Sequence, residues 1–200
     1  MKNIFLILAI FMAIVCKAQS PVYSLLDDRY GYQQSPGVYY KDTYNDFNKF
    51  VGEWKYQQGN KSFTIVLQKR TMYYDAEENM YVDMLVGEYR YVDENGIEQV
   101  NTLSNINNTD SFDNNIWGFS IIPFDSNNRS VRLRFKDPER SYLWRYIFIK
   151  HFPEQILGQH TVPEHITLIF MGEPSIEPYE NAPMQLRVPE EVDYILIKQP

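Results

Sequence analysis

After Phe50 the chain alternates apolar and polar side chains with a period of two, and that rhythm narrows the folds open to it. Phe63, Ile65 and Leu67 alternate with Thr64, Val66 and Gln68. Val131, Leu133 and Phe135 alternate with Arg132, Arg134 and Lys136. Tyr142, Trp144, Tyr146 and Phe148 alternate with Leu143, Arg145, Ile147 and Ile149, and Ile166, Leu168 and Phe170 repeat the pattern. A period of two puts successive side chains on opposite faces of a strand. Turn residues separate the runs. Gln58-Gly59-Asn60, Asp93-Glu94-Asn95-Gly96 and Ser126-Asn127-Asn128 all supply residues that tolerate positive φ. No helical period of useful length follows Phe50. Strands at hairpin spacing predict an all-β domain, a single antiparallel β-barrel, with a β-sandwich as the alternative because both need the same alternation.

Around this core the expectations are local. Residues 43–50 read as a short N-terminal helix, with Asp42 or Thr43 capping its first N–H groups and Phe47 and Phe50 on one face. Residues 80–91 read as a long strand, with Gly87 marking a bulge or a close backbone approach. Tyr194, Ile195, Leu196, Ile197 and Lys198 form a last short strand. Residues 104–115, rich in Asn and Asp, are expected to be a mobile loop, and 174–183 a second irregular stretch.

The first eighteen residues have the layout of an export signal. Lys2 precedes an apolar run from Ile4 to Val15, and Ala18 offers a small residue for cleavage before Gln19. The run is too short for a permanent membrane helix, and no second run approaches that length. Cleavage after Ala18 fits better than lipid anchoring at Cys16, because Val15 stands where a lipoprotein signal has a small residue. The expected partition is therefore a signal peptide at 1–18, an irregular leader at 19–42 and the β-domain at 43–200. Losing Lys2 and Lys17 would take the net charge from −7 to −9. So acidic a chain repels phosphate backbones, which argues against nucleic acid as a partner. The one cysteine lies in the signal, so the core must be held by packing. Sixteen tyrosines, twelve phenylalanines and three tryptophans supply the area for that.

Candidate sites follow from the strands. Gly52-Glu53-Trp54 after a short helix is how lipocalin-type barrels of the calycin class open, with the tryptophan at the closed end. That likeness implies a cavity for a small apolar ligand, walled by Trp54, Tyr89, Trp144 and Tyr146. The aromatic face of Tyr142, Trp144, Tyr146 and Phe148 could line a pocket or stack on sugar rings. Core packing is its plainer reading. His151, His160 and His165 cluster near Glu154 and Glu164, but Pro153, Gly158 and Pro163 break the segment and the spacing suits no metal motif. Asp93-Glu94-Asn95-Gly96 fails as a calcium loop, since Tyr91 and Thr102 stand where acids are needed. No nucleophile elbow, catalytic cysteine or zinc-protease motif is present. No catalytic residue, metal or cofactor is therefore assigned.

Three further segments carry a wider resemblance. They are Phe50-Val51-Gly52-Glu53-Trp54-Lys55-Tyr56, the run from Asp83 to Tyr91 with Glu94-Asn95-Gly96 behind it, and the closing Ile195-Leu196-Ile197-Lys198-Gln199. Together they resemble an uncharacterised family of small secreted proteins of Bacteroidota, classed as a domain of unknown function. The resemblance spans roughly residues 47–199 and implies an exported, periplasmic or extracellular β-domain without assigned chemistry. Three readings then compete. One is a small-ligand barrel. Another is a cell-envelope interaction or structural protein with a filled core, using the tyrosine-rich leader as a contact element. A carboxylate-based hydrolase is the remote third.

Overall fold

The computed structural model describes residues 21–26, 36–123, 125, 128–172 and 182–200. The export signal lies outside these residues, as do Ser126 and Asn127 of the third turn and most of the second irregular stretch.

Eight antiparallel strands close into a barrel, which decides between barrel and sandwich. In chain order they are β3 (Gly52–Gln58), β4 (Lys61–Asp75), β5 (Met80–Val92), β7 (Ile116–Ile122), β8 (Ser130–Asp137), β9 (Arg140–Phe152), β12 (His165–Met171) and β13 (Tyr194–Lys198). Each pairs with the next, and β13 returns to β3 through Ile197 opposite Lys55 and Lys198 opposite Trp54. Closure leaves these strands no shared free edge. The remaining strands are appendages. β6 (Glu98–Asn101) folds back on β5 through the turn at Gly96, whose φ is +79°. β10 (Gln155–Leu157) and β11 (His160–Val162) form a separate hairpin.

Two short strands lie in the described part of the leader: β1 (Val22–Ser24) and β2 (Tyr39–Lys41) run parallel to each other, and β2 joins β5. The N-terminal helix is not an α-helix but one 3₁₀ turn, Asp46–Phe50. Asp42 still holds it, accepting from the amides of Asp46 at 2.8 Å and Phe47 at 3.0 Å. Five residues are too few for an α-helical nucleus to persist alone. Burial of Phe47 and Phe50 in the main core fixes the turn instead.

Gly87 is a close approach and not a bulge. The β4–β5 register runs unbroken past it, and a Cβ there would lie 2.6 Å from Leu67 Cδ2 and 2.7 Å from the Val66 carbonyl oxygen. The bulge in β4 falls instead between Arg70 and Tyr73, where Met72 takes a φ of +54°. Left-handed backbone is unfavourable for methionine. The buried Asp83 carboxylate compensates by accepting the Met72 amide at 2.9 Å and the Tyr39 hydroxyl at 2.6 Å. The same carboxylate thus ties the leader to the barrel.

Both barrel ends are covered. The 3₁₀ turn lies over one end. Residues 182–193 cross the other, where Leu186 and Val188 enter the main core. Arg187 clamps this strap by donating to both oxygens of Asp137, a carboxylate with no exposure. Arg145, pointing inward from β9, pairs with Glu190 on the strap. An arginine inside a barrel is expensive without such a partner.

Candidate functional site

The lumen is built from the inward positions of all eight strands, whose aliphatic and aromatic side chains form one buried cluster. Phe63, near the start of β4, has no exposure and is the hub of its aromatic contacts. Its ring centroid lies 4.9 Å from that of Tyr194, 6.1 Å from Tyr89, 6.3 Å from Phe135 and 6.5 Å from Tyr91. Tyr89 and Phe135 approach to 4.4 Å, and Phe170 reaches Phe135 at 5.1 Å. The Phe63 contacts and the Phe135–Phe170 pair are edge-on, a geometry the ring quadrupoles favour. The Tyr89 hydroxyl donates to the Lys136 carbonyl at 3.3 Å. Burial, reinforced by the Asp137 charge, drives its pKa well above the ordinary phenol value. Tyr89 is therefore a neutral core residue, and so is Tyr194, raised by the same burial.

Trp54 is at the end closed by the 3₁₀ turn and is fully buried. Its indole N–H donates to the Phe50 carbonyl at 2.8 Å, and the Lys198 ammonium lies 5.3 Å above its ring. Gly52, with a φ of +133°, lets the chain enter the strand beneath Lys198. At this rim Glu164 receives Lys198 at 2.8 Å and lies 2.9 Å from His151 Nε2. Burial alone would raise the Glu164 pKa. The Lys198 and His151 contacts outweigh it and hold the carboxyl below its usual range. The other two histidines sit elsewhere: His160 opens β11, and His165 stacks on Phe152 at 4.9 Å. No group of three or more His, Cys, Asp or Glu able to hold a metal ion occurs among the described residues.

Trp144 and Tyr146 are not wall residues of the lumen. In β9 the buried side chains are Leu143, Arg145, Ile147, Ile149 and His151, so Trp144, Tyr146 and Phe148 point outward, while Tyr142 packs against the main core and donates to the Pro183 carbonyl of the strap. Both faces of that strand read as apolar, and only its register with β8 and β12 selects the inner one. Of the four expected wall residues, the fold brings Trp54 and Tyr89 into the core and sends Trp144 and Tyr146 to the surface.

On that surface lies an arrangement that the single-strand reading missed. Arg134 stands between two indoles, its guanidinium carbon 5.0 Å from the Trp117 ring and 4.3 Å from that of Trp144. Arg132 lies 4.8 Å from the Tyr146 ring. A depression of about 310 Å³ opens between Trp117, Phe119, Arg132, Arg134 and Tyr146. The bulge in β7 between Trp117 and Ser120 shapes its floor. A second depression, about 500 Å³, lies against the strap between Tyr91, Arg140, Met184 and Arg187. Neither Trp54 nor Tyr89 lines either one. The outward arginines of β8 were visible in its alternation, but their aromatic partners come from β7 and β9.

The Asn-rich loop is pinned. Glu88, outward on β5 yet fully buried, accepts from Asn114 Nδ2 at 2.9 Å, Asn115 Nδ2 at 2.7 Å and the Asn115 amide at 3.3 Å. Arg70 donates to the carbonyls of Ile106 and Asn108.

Fold and surface together define a closed antiparallel β-barrel with a packed lumen and an arginine–aromatic outer face. The chain belongs to the family of unknown function DUF6705, whose model matches residues 1–199. No curated protein matches the chain, and no solved structure does. No helix among the described residues is long and apolar enough to cross a membrane.

Proposed function

We propose that this chain is an exported cell-envelope interaction protein, with a lumen packed for stability and a working surface on the outside. The single observation behind this choice is that inward side chains from all eight barrel strands join one buried cluster, in which Phe63 packs against Tyr89, Phe135 and Tyr194. A small-molecule site is normally a largely preformed cavity. Here the two ends are also covered, by the 3₁₀ turn and by the strap clamped through Arg187 and Arg145. Export rests on the charged, apolar and small-residue layout of residues 1–18.

A non-enzymatic role is part of the proposal. The fully buried acids are occupied as structural acceptors. Asp42 takes two backbone amides and Lys69, Asp83 takes Tyr39 and the Met72 amide, Glu88 takes the Asn-rich loop, and Asp137 takes Arg187. A hydrolytic pair needs carboxyls free to bind water and substrate.

The test has two arms. Native mass spectrometry and a lipophilic dye titration on protein purified from envelope fractions should give no bound small molecule and no saturable dye. Crosslinking in living cells should trap one discrete protein partner. A dye or natural ligand binding once per chain in the lumen, with no crosslinked partner, overturns the reading. Mass analysis of the cell-derived protein should find Gln19 as the first residue, and retention of residues 1–18 would refute export by cleavage.

A further inference from the structure

The outer face of β7, β8, β9 and β12 departs from the charge of the rest of the chain. The sequence carries 26 acidic residues against 19 Lys and Arg. These four strands contain one acid, Asp137, and it is buried against Arg187. Arg132, Arg134 and Lys136 point outward from β8, and Lys150 from β9. Among the described residues neither Arg132 nor Arg134 has a carboxylate partner. Their contacts are with rings. Trp117 and Trp144 flank Arg134, and Tyr146 lies against Arg132. Stacking holds a guanidinium flat while leaving its N–H edge open, and that edge fits a carboxylate in two-point contact.

The neighbours narrow the occupant. Sugar rings bind to open aromatic faces, but Arg134 already occupies the inner faces of both indoles. Beyond the arginines the surface turns apolar: Phe148 lies opposite Ile169 and Tyr146 opposite Met171, with Ile169 and Met171 exposed. Trp, Tyr and Arg beside exposed aliphatic side chains are the composition of protein–protein hot spots. We infer that this face docks an acidic polypeptide segment, an Asp or Glu entering the 310 Å³ depression between Arg132 and Arg134 while apolar neighbours pack on Phe148, Ile169 and Met171. The inference rests on the interaction reading above and gives it a location and a partner chemistry.

The probe is a fluorescent peptide alternating Glu and Leu, titrated by anisotropy at low salt into the processed protein. Controls are the same peptide with Gln for Glu, oligoglucuronate, and vesicles of anionic lipid. Saturable binding of the Glu peptide is expected, weakening as salt rises. Arg132→Ala and Arg134→Ala should each reduce affinity by about tenfold, as loss of a charge-assisted contact implies. Arg134→Lys keeps the charge and the fold but lacks the planar fork, so it should bind nearly as weakly as Arg134→Ala. The site is refuted if the Glu peptide fails to bind, or binds Arg134→Lys and the double alanine variant as well as the parent. Preference for oligoglucuronate or vesicles refutes the polypeptide occupant, as does self-association that the double variant abolishes. In cells, a crosslinked partner retained by the double variant would sink this face but leave the interaction reading standing. A ligand-filled lumen without any partner would sink that reading itself.

Discussion

Phe63→Ala measures directly whether the barrel lumen is packed. Phe63 has no exposure and is surrounded by Tyr89, Tyr91, Phe135 and Tyr194 at centroid distances of 4.9 to 6.5 Å. Truncation removes about 2 kcal/mol of transfer free energy. It also opens a void of roughly 100 Å³, which at about 24 cal/mol per Å³ adds some 2 kcal/mol if the rings cannot collapse. The expected loss is therefore about 3–5 kcal/mol, near the top of the range for core truncations. For a domain of this size the melting temperature should fall by roughly 6–20 °C. Urea unfolding followed by tryptophan fluorescence gives the free energy, and an unchanged m-value would show that the unfolded state is unaltered. The void should also admit a small aromatic such as indole and be stabilised by it, while the parent should not. If Phe63 instead faced an existing cavity, only the transfer contribution would be lost. A measured loss of about 2 kcal/mol or less, or indole stabilising the parent equally, would refute the packed lumen.

Three other perturbations address separate parts of the fold. Gly87→Ala forces a Cβ within 2.7 Å of the Val66 carbonyl oxygen and should cost about 1–3 kcal/mol; thermal melting no lower than the parent would show that β4 and β5 separate freely there. Glu88→Ala leaves the donors of Asn114 and Asn115 without their acceptor, so amide exchange should accelerate across residues 103–115 and not in β8 or β9, and unchanged exchange would mean that Glu88 does not hold the loop. The strap should respond to acid. Burial works against the Asp137 charge, but the Arg187 hydrogen bonds prevail and hold its pKa below the ordinary value. Glu164 is likewise held low. A carboxyl depressed in the folded state contributes stability above its unfolded pKa and loses it as pH falls through the folded one. Stability should thus be level near neutrality and fall below about pH 4, and Asp137→Asn should flatten that fall. A parent whose unfolding free energy is flat from neutrality to acid would contradict the assignment.

The legible parts of this protein were those set by local chemistry. Alternation in β4, β8 and β12 revealed strands, and for Phe63, Ile65, Leu67, Val131, Leu133 and Phe135 it also revealed the buried face, because their neighbours are largely polar. Gly59 and Gly96 marked turns through their positive φ. Asp42 was readable with Thr43 as one of two candidate caps, and it is the one that holds the turn, since a carboxylate before a turn meets the first free amides whether that turn is α or 3₁₀.

What the sequence alone left open needed partners distant in the chain. Barrel or sandwich was undecided until β13 met β3, because alternation is the same in either. In β9 both faces are apolar, and only pairing with β8 and β12 turned Leu143, Ile147 and Ile149 inward and Trp144 and Tyr146 outward. Arg145 lies on the inner face of β9, where its partner, Glu190, comes from the strap that crosses the barrel end. The flat guanidinium of Arg134 between Trp117 and Trp144 likewise belongs to three strands and to no local motif. Periodicity divides a strand into two faces. Which face is buried, and what waits on the other, is a property of neighbouring strands and so of tertiary structure.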